Sequence, residues 1–84
     1  MPRFRFTVRD DNGEIGNKVV DLPDLKAAKA QAVEEASRAL ATVDGSFWTD
    51  GHLEIELTDE SGLSLAALAI SGFESPASGK RFNA

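Results

Sequence analysis

Cysteine and tyrosine are missing from these 84 residues, and histidine, tryptophan and methionine occur once each. Without cysteine there is no disulfide framework, no thiolate metal site and no cysteine nucleophile. A single histidine gives no cluster of imidazole ligands. No apolar run is long enough to span a bilayer, and the opening MPRFRFTVRD alternates charged with apolar residues where a signal peptide would be continuously apolar. The expectation is a cytoplasmic protein with no membrane segment. Cations are scarce as well: nine Lys plus Arg stand against fourteen Asp plus Glu, for a net charge of −5. Phosphate contacts need clustered cations, so nucleic acid is not an expected partner.

What is present is periodic. From Pro23 to Val43, Leu25, Ala28, Ala32, Ala36, Ala39 and Val43 recur at helical spacing, with Val33 and Leu40 at the margin of the stripe. Lys26, Gln31, Glu34, Glu35 and Arg38 occupy the other face. This predicts an amphipathic helix whose alanine stripe admits close approach to a sheet. Pro23 fits a first helical turn, Asp24 is the expected N-cap, and Asp44-Gly45 the expected stop. On either side the period is two. Arg3–Arg9 places Phe4, Phe6 and Val8 on one face and Arg3, Arg5, Thr7 and Arg9 on the other. A loop is predicted over Asp10–Asn17 and a second strand over Lys18–Leu22. Leu53–Thr58 alternates again, Asp59–Gly62 reads as a hairpin turn, and Leu63–Ile70 as a final apolar strand.

The final strand breaks phase. Leu63 and Leu65 share one face, whereas Ala66, Leu68 and Ile70 fall on the other unless a bulge intervenes near Ala66. The chain is long enough for one α+β domain with a thin core, expected over residues 1–72, with a flexible tail over 73–84. Setting Arg3 and Arg5 across from Glu54 and Glu56 pairs opposite charges. That predicts a ββαββ antiparallel sheet in the order 2-1-3-4, with the helix on one face.

The segments F-x-F-x-V-R-D at 4–10, L-P-D-L-K-A-A at 22–28 and E-I-E-L-T-D-E-S-G at 54–62 resemble a family of short alphaproteobacterial proteins known only as a domain of unknown function. The resemblance covers residues 1–70 and implies a bacterial strand-strand-helix-strand-strand domain with no site residues to carry over. Members of that family typically place a tryptophan at the start of the third strand, where this chain has Leu53; its own Trp48 lies earlier, in a longer loop.

Several groups invite a chemical reading. His52 stands alone at a loop-to-strand boundary, with no second ligand at metal spacing. Asp10, Asp11, Asn12 and Glu14 are oxygen-bearing but lack the spacing of a calcium loop, and turn formation accounts for them. Asp59 and Glu60 are adjacent in a turn and point apart. No metal or cofactor is therefore expected. Arg3, Arg5 and Arg9 share a strand face and form a candidate anion site, unless Glu54 and Glu56 neutralise them. Phe47 and Trp48 either anchor an interface or fold back to close the core.

One helix covers one face of a four-stranded sheet, leaving the other to water or to a partner. Ala66, Leu68 and Ile70 would lie on that open face in the absence of a bulge, on a strand at the sheet edge. The leading expectation is a non-enzymatic interaction module that forms a homodimer through its last strand or open sheet face, using Ala66, Leu68, Ile70 and Trp48. An unidentified protein partner is compatible with the same surface. The alternative is an anion- or small-molecule-binding regulatory protein using Arg3, Arg5 and Arg9.

Overall fold

The alternating segments pair as their apolar faces require. In the computed structural model, which describes residues 1–76, β1 (Arg3–Asp10) forms a hairpin with β2 (Gly13–Asp21). Then follow α1 (Leu25–Leu40), a 3-10 turn (Gly45–Trp48), and a second hairpin of β3 (His52–Thr58) and β4 (Ser64–Ser71). All pairings are antiparallel and the sheet order is β2-β1-β3-β4, as the sequence predicts. No helix among the described residues is long and apolar enough to cross a membrane.

Phe4 and Phe6 from β1, Leu53, Ile55 and Leu57 from β3, and Ala28, Ala32 and Ala36 from α1 are buried. Alanine on the helix and large side chains on the strands let α1 lie close across β1 and β3. Asp24 caps the helix as expected, its Oδ1 accepting from the Ala27 amide at 2.8 Å. The helix ends at Leu40, short of the expected Val43. The Thr42 amide bonds to the Ala39 carbonyl and the Val43 amide to the Leu40 carbonyl, so the last turn tightens. Asp44 then starts the next turn by accepting from the Ser46 amide at 2.8 Å.

β2 starts earlier than the sequence indicates. Gly13 adopts φ 115°, closing a tight turn at Asp11-Asn12, and Asp10 Oδ1 accepts from the Asn12 amide at 2.8 Å. The expected loop is thus mostly strand. Arg9 pairs with Glu14 and Val8 with Gly16, leaving Ile15 as the extra residue of a bulge.

A second bulge sets the face of β4. Leu57 pairs with Ala66 and Thr58 with Ser64, so Leu65 is extra. Ala66, Leu68 and Ile70 therefore stand opposite Leu57, Ile55 and Leu53, on the side of the sheet that carries α1. The bulge left open in the sequence near Ala66 is present, so the open-face placement expected in its absence does not apply. The tail expected over 73–84 lies outside the described residues from 77 onward. Before that point, the Gly72 amide bonds to the Gly51 carbonyl at 3.0 Å and Thr49 Oγ1 donates to Glu74 at 2.9 Å.

Candidate functional site

The face without a helix is polar and its arginines are engaged. Arg3 Nε lies 3.2 Å from Asp21 Oδ1, and Arg5 donates to Asn17 Oδ1 at 2.9 Å. Arg9 reaches Glu56 at 3.0 Å and Glu54 at 3.3 Å. The expected pairing of Arg3 and Arg5 with Glu54 and Glu56 is thus corrected: Arg9 takes both glutamates. The reason is register. Burial of Phe6 against Leu57 and Val8 against Ile55 fixes β1 on β3, which sets Arg9 opposite Glu54 and Arg5 opposite Thr58. The hydrogen bond to Glu56 is the main cause holding the Arg9 guanidinium above its ordinary pKa. Glu56 is held below the usual carboxylate range, first by Ser64 and then by Arg9. The three arginines do not converge, since Arg3 and Arg5 turn to β2 and Arg9 turns to β3.

The other chemical candidates serve local structure. Asp59 Oδ1 accepts from the Ser61 amide at 2.9 Å, the Ser61 hydroxyl at 2.7 Å and the Leu63 amide at 3.0 Å. The bond from the Ser61 hydroxyl is the largest cause lowering its pKa. His52 Nδ1 is 3.4 Å from Ser71 Oγ, across the β3–β4 pair. His52, Asp10, Asp11 and Asp44 line a shallow cleft of about 550 Å³, yet no group of three His, Asp or Glu with metal-site geometry occurs among the described residues. Phe47 is half-buried and folds over Gly51, whereas Trp48 stays 62% exposed, so the two neighbouring aromatics differ in exposure. Their turn also packs against Gly72, which places Trp48 at the end of β4.

β4 itself is different in kind. Among the described residues it pairs with β3 alone, so its outer side is a sheet edge there. The Gly72–Gly51 bond fixes the alternation of the ladder. Ala66, Leu68 and Ile70 direct their backbone groups at β3, and Ala67, Ala69 and Ser71 direct theirs outward. From Ser61 to Phe73 there is no charged residue, and no other charge-free run in the chain is as long. The opposite edge, β2, carries Glu14, Lys18 and Asp21 and is bent by the bulge at Ile15. Charges and bulges are what protect an edge from pairing. β2 has both; the regular part of β4, beyond its bulge at Leu65, has neither.

Beside this edge runs an apolar groove of about 190 Å³ between α1 and β4. Ala32, Val33, Ile55, Leu57, Ala66 and Leu68 line it, with Lys29 at the rim. Val33 is 57% exposed and Leu68 39%, because the helix covers β1 and β3 more fully than β4. Leu68 and Ala66 were named from the sequence, but the helical wall was not. Its only signal was an apolar, β-branched Val33 one step off the alanine stripe.

Searches of curated proteins and of solved structures give no match. A family model does match, over residues 3–71, from the first residue of β1 to the last of β4. The chain belongs to the family described as Domain of unknown function (DUF6894).

Proposed function

We propose that this protein is a small, non-enzymatic interaction module that self-associates through β4 and the groove beside it. The observation that carries the reading is the uncharged, regular sheet edge at Ala67–Ser71, flanked by exposed Leu68 and Val33. An edge of this kind offers backbone hydrogen bonds, and the adjoining groove offers apolar burial, the two components of strand addition. A non-enzymatic role fits the site chemistry. The His52–Ser71 separation of 3.4 Å is longer than a working nucleophile–base bond, and among the described residues no acid in hydrogen-bond contact orients the ring. The net charge of −5 argues against a nucleic-acid partner. We place the module in the bacterial cytoplasm on the same reading.

The test is sedimentation velocity on the wild type and on Leu68→Glu. Leu68 is 39% exposed, so a glutamate there is solvated in the monomer and the fold is kept. In an associated form it is buried. The expected result is a concentration-dependent dimer for the wild type and a monomer for the variant. A monomeric wild type at millimolar concentration overturns the proposal. The alternative, anion binding at Arg3, Arg5 and Arg9, would have to displace Asp21, Asn17, Glu54 and Glu56 from those guanidinium groups.

A further inference from the structure

The β1–β2 turn carries chemistry that the β4 surface does not use. Asn12 precedes Gly13 at the tip of this hairpin. We infer that Asn12 is a self-modification site, where the Gly13 backbone nitrogen attacks the Asn12 side-chain carbonyl and the side-chain amide is lost as ammonia. The bond that forms joins Gly13 N to Asn12 Cγ, and the bond that breaks is Asn12 Cγ–Nδ2. The proton released by the Gly13 nitrogen leaves with that amide. The product is a cyclic imide, which water opens at either carbonyl to give aspartate or isoaspartate. Water is the only co-reactant.

The fold separates Asn12 from the other side chains open to the same reaction. Asn17 is held at both ends of its amide: Oδ1 accepts from Arg5 at 2.9 Å and Nδ2 donates to Glu14 at 2.8 Å, inside the β2 ladder. Asp44 and Asp50 each precede a glycine and reach the same imide by loss of water. Asp44 Oδ1 accepts from the Ser46 hydroxyl at 2.6 Å and the Ser46 amide at 2.8 Å. These bonds hold it below the usual carboxylate range, and an ionised carboxylate resists attack by nitrogen. Asp50 precedes Gly51, which packs so closely on the carbonyl and ring of Phe47 that the peptide between them has no room to turn. Asn12 has none of these restraints. It is exposed, its backbone amide bonds to Asp10 Oδ1, and among the described residues nothing holds its side chain. No atom lies within 4 Å of the place where Gly13 would carry a Cβ, and its φ of 115° suits glycine. The ring closes when the turn opens locally, and opening costs least at a loop tip.

The product changes the hairpin. Isoaspartate carries the chain through its own side-chain carbon, so the backbone lengthens inside the turn. The bond from the Asn12 amide to Asp10 loses its geometry, and Asp10 and Gly13 no longer close the hairpin in register. The bulge at Ile15 lies between this turn and the core at Phe4 and Phe6, so the disturbance stays local. Either product adds a carboxylate beside Asp10 and Asp11, which line the cleft shared with Asp44 and His52. The free α-carboxylate of isoaspartate is the group that an S-adenosylmethionine-dependent protein carboxyl methyltransferase accepts. That is the class of reaction that would consume the product.

The full chain is aged at neutral pH, folded in buffer and unfolded in urea. Peptide mass spectrometry follows Asn12, Asn17, Asp44 and Asp50, and enzymatic methyl incorporation reports isoaspartate. In the folded chain the expected result is conversion of amide to acid at Asn12 about tenfold or more faster than at Asn17, whose two hydrogen bonds to charged groups must break first. Methyl incorporation maps to residue 12 and is lost in Asn12→Ser. Conversion of Asn12 only in urea means that the turn protects it, which overturns the inference. Equal rates at Asn12 and Asn17 in the folded chain, or methyl incorporation that survives in Asn12→Ser, overturn it as well. Asn12 lies outside β4, so each of these outcomes reads the same whether or not the chain self-associates.

Discussion

At the scale of single residues, Glu35 fastens the helix to a strand that it scarcely covers. Its Oε1 accepts from Lys18 Nζ of β2 at 2.7 Å, Arg38 at 2.6 Å and Gln31 at 2.9 Å. Burial by itself would raise its pKa, but the bonds from Lys18, Arg38 and Gln31 outweigh burial and lower it from 4.5 to about 2. A folded-state pKa below the unfolded one means that the unfolded chain binds the extra proton between those two values. The stabilisation is therefore complete above about pH 4.5 and is lost as pH falls toward about 2. Glu35→Gln is expected to cost on the order of 2 kcal/mol at neutral pH. Urea denaturation at pH 7 and pH 3 checks this: the gap between wild type and variant narrows at pH 3, and a gap equal at both contradicts it. A second residue prediction concerns Gly72. A Cβ there would collide with the Phe47 carbonyl, so Gly72→Ala must displace the turn that carries Trp48. The overpacking is worth about 1–3 kcal/mol, and the melting temperature falls by roughly 4 °C or more. The emission of the sole tryptophan shifts with it, and an unchanged melting curve contradicts the account.

At the scale of elements, the strand order was legible because β1 and β3 alternate cleanly and carry opposite charges on their outer faces. Which arginine meets which glutamate was not legible. Charge proposed one register, but burial of Phe6 and Val8 decides it, and apolar burial outweighs surface ion pairs worth about 0–1 kcal/mol each. The two bulges were the other loss. At Ile15 the extra residue breaks the alternation, and with Gly13, Gly16 and Asn17 nearby the segment reads as a loop. At Leu65 the break was visible, but which face Leu68 takes depends on where the ladder slips. That choice is made by the helix and the apolar surface of Ile55 and Leu57, not by β4. The element carrying the proposed function was therefore named from sequence, and its facing came from the fold.

At the scale of the whole molecule, a one-helix layer on a four-stranded sheet leaves two edges and one bare face to account for. The bare face is closed by ion pairs and the β2 edge by charge and a bulge. β4 remains, uncharged and beside a groove. For a transient self-association the expected dissociation constant is on the order of micromolar. The most direct measurement is amide hydrogen exchange by NMR at concentrations well above and well below that value. The account predicts that Ala67, Ala69 and Ser71 are slowed at the high concentration and exchange freely at the low one. Outward amides of β2 at Asn17, Val19 and Asp21 exchange fast at both. Fast exchange at Ala67, Ala69 and Ser71 with no dependence on concentration would contradict the claim that this edge carries the interaction.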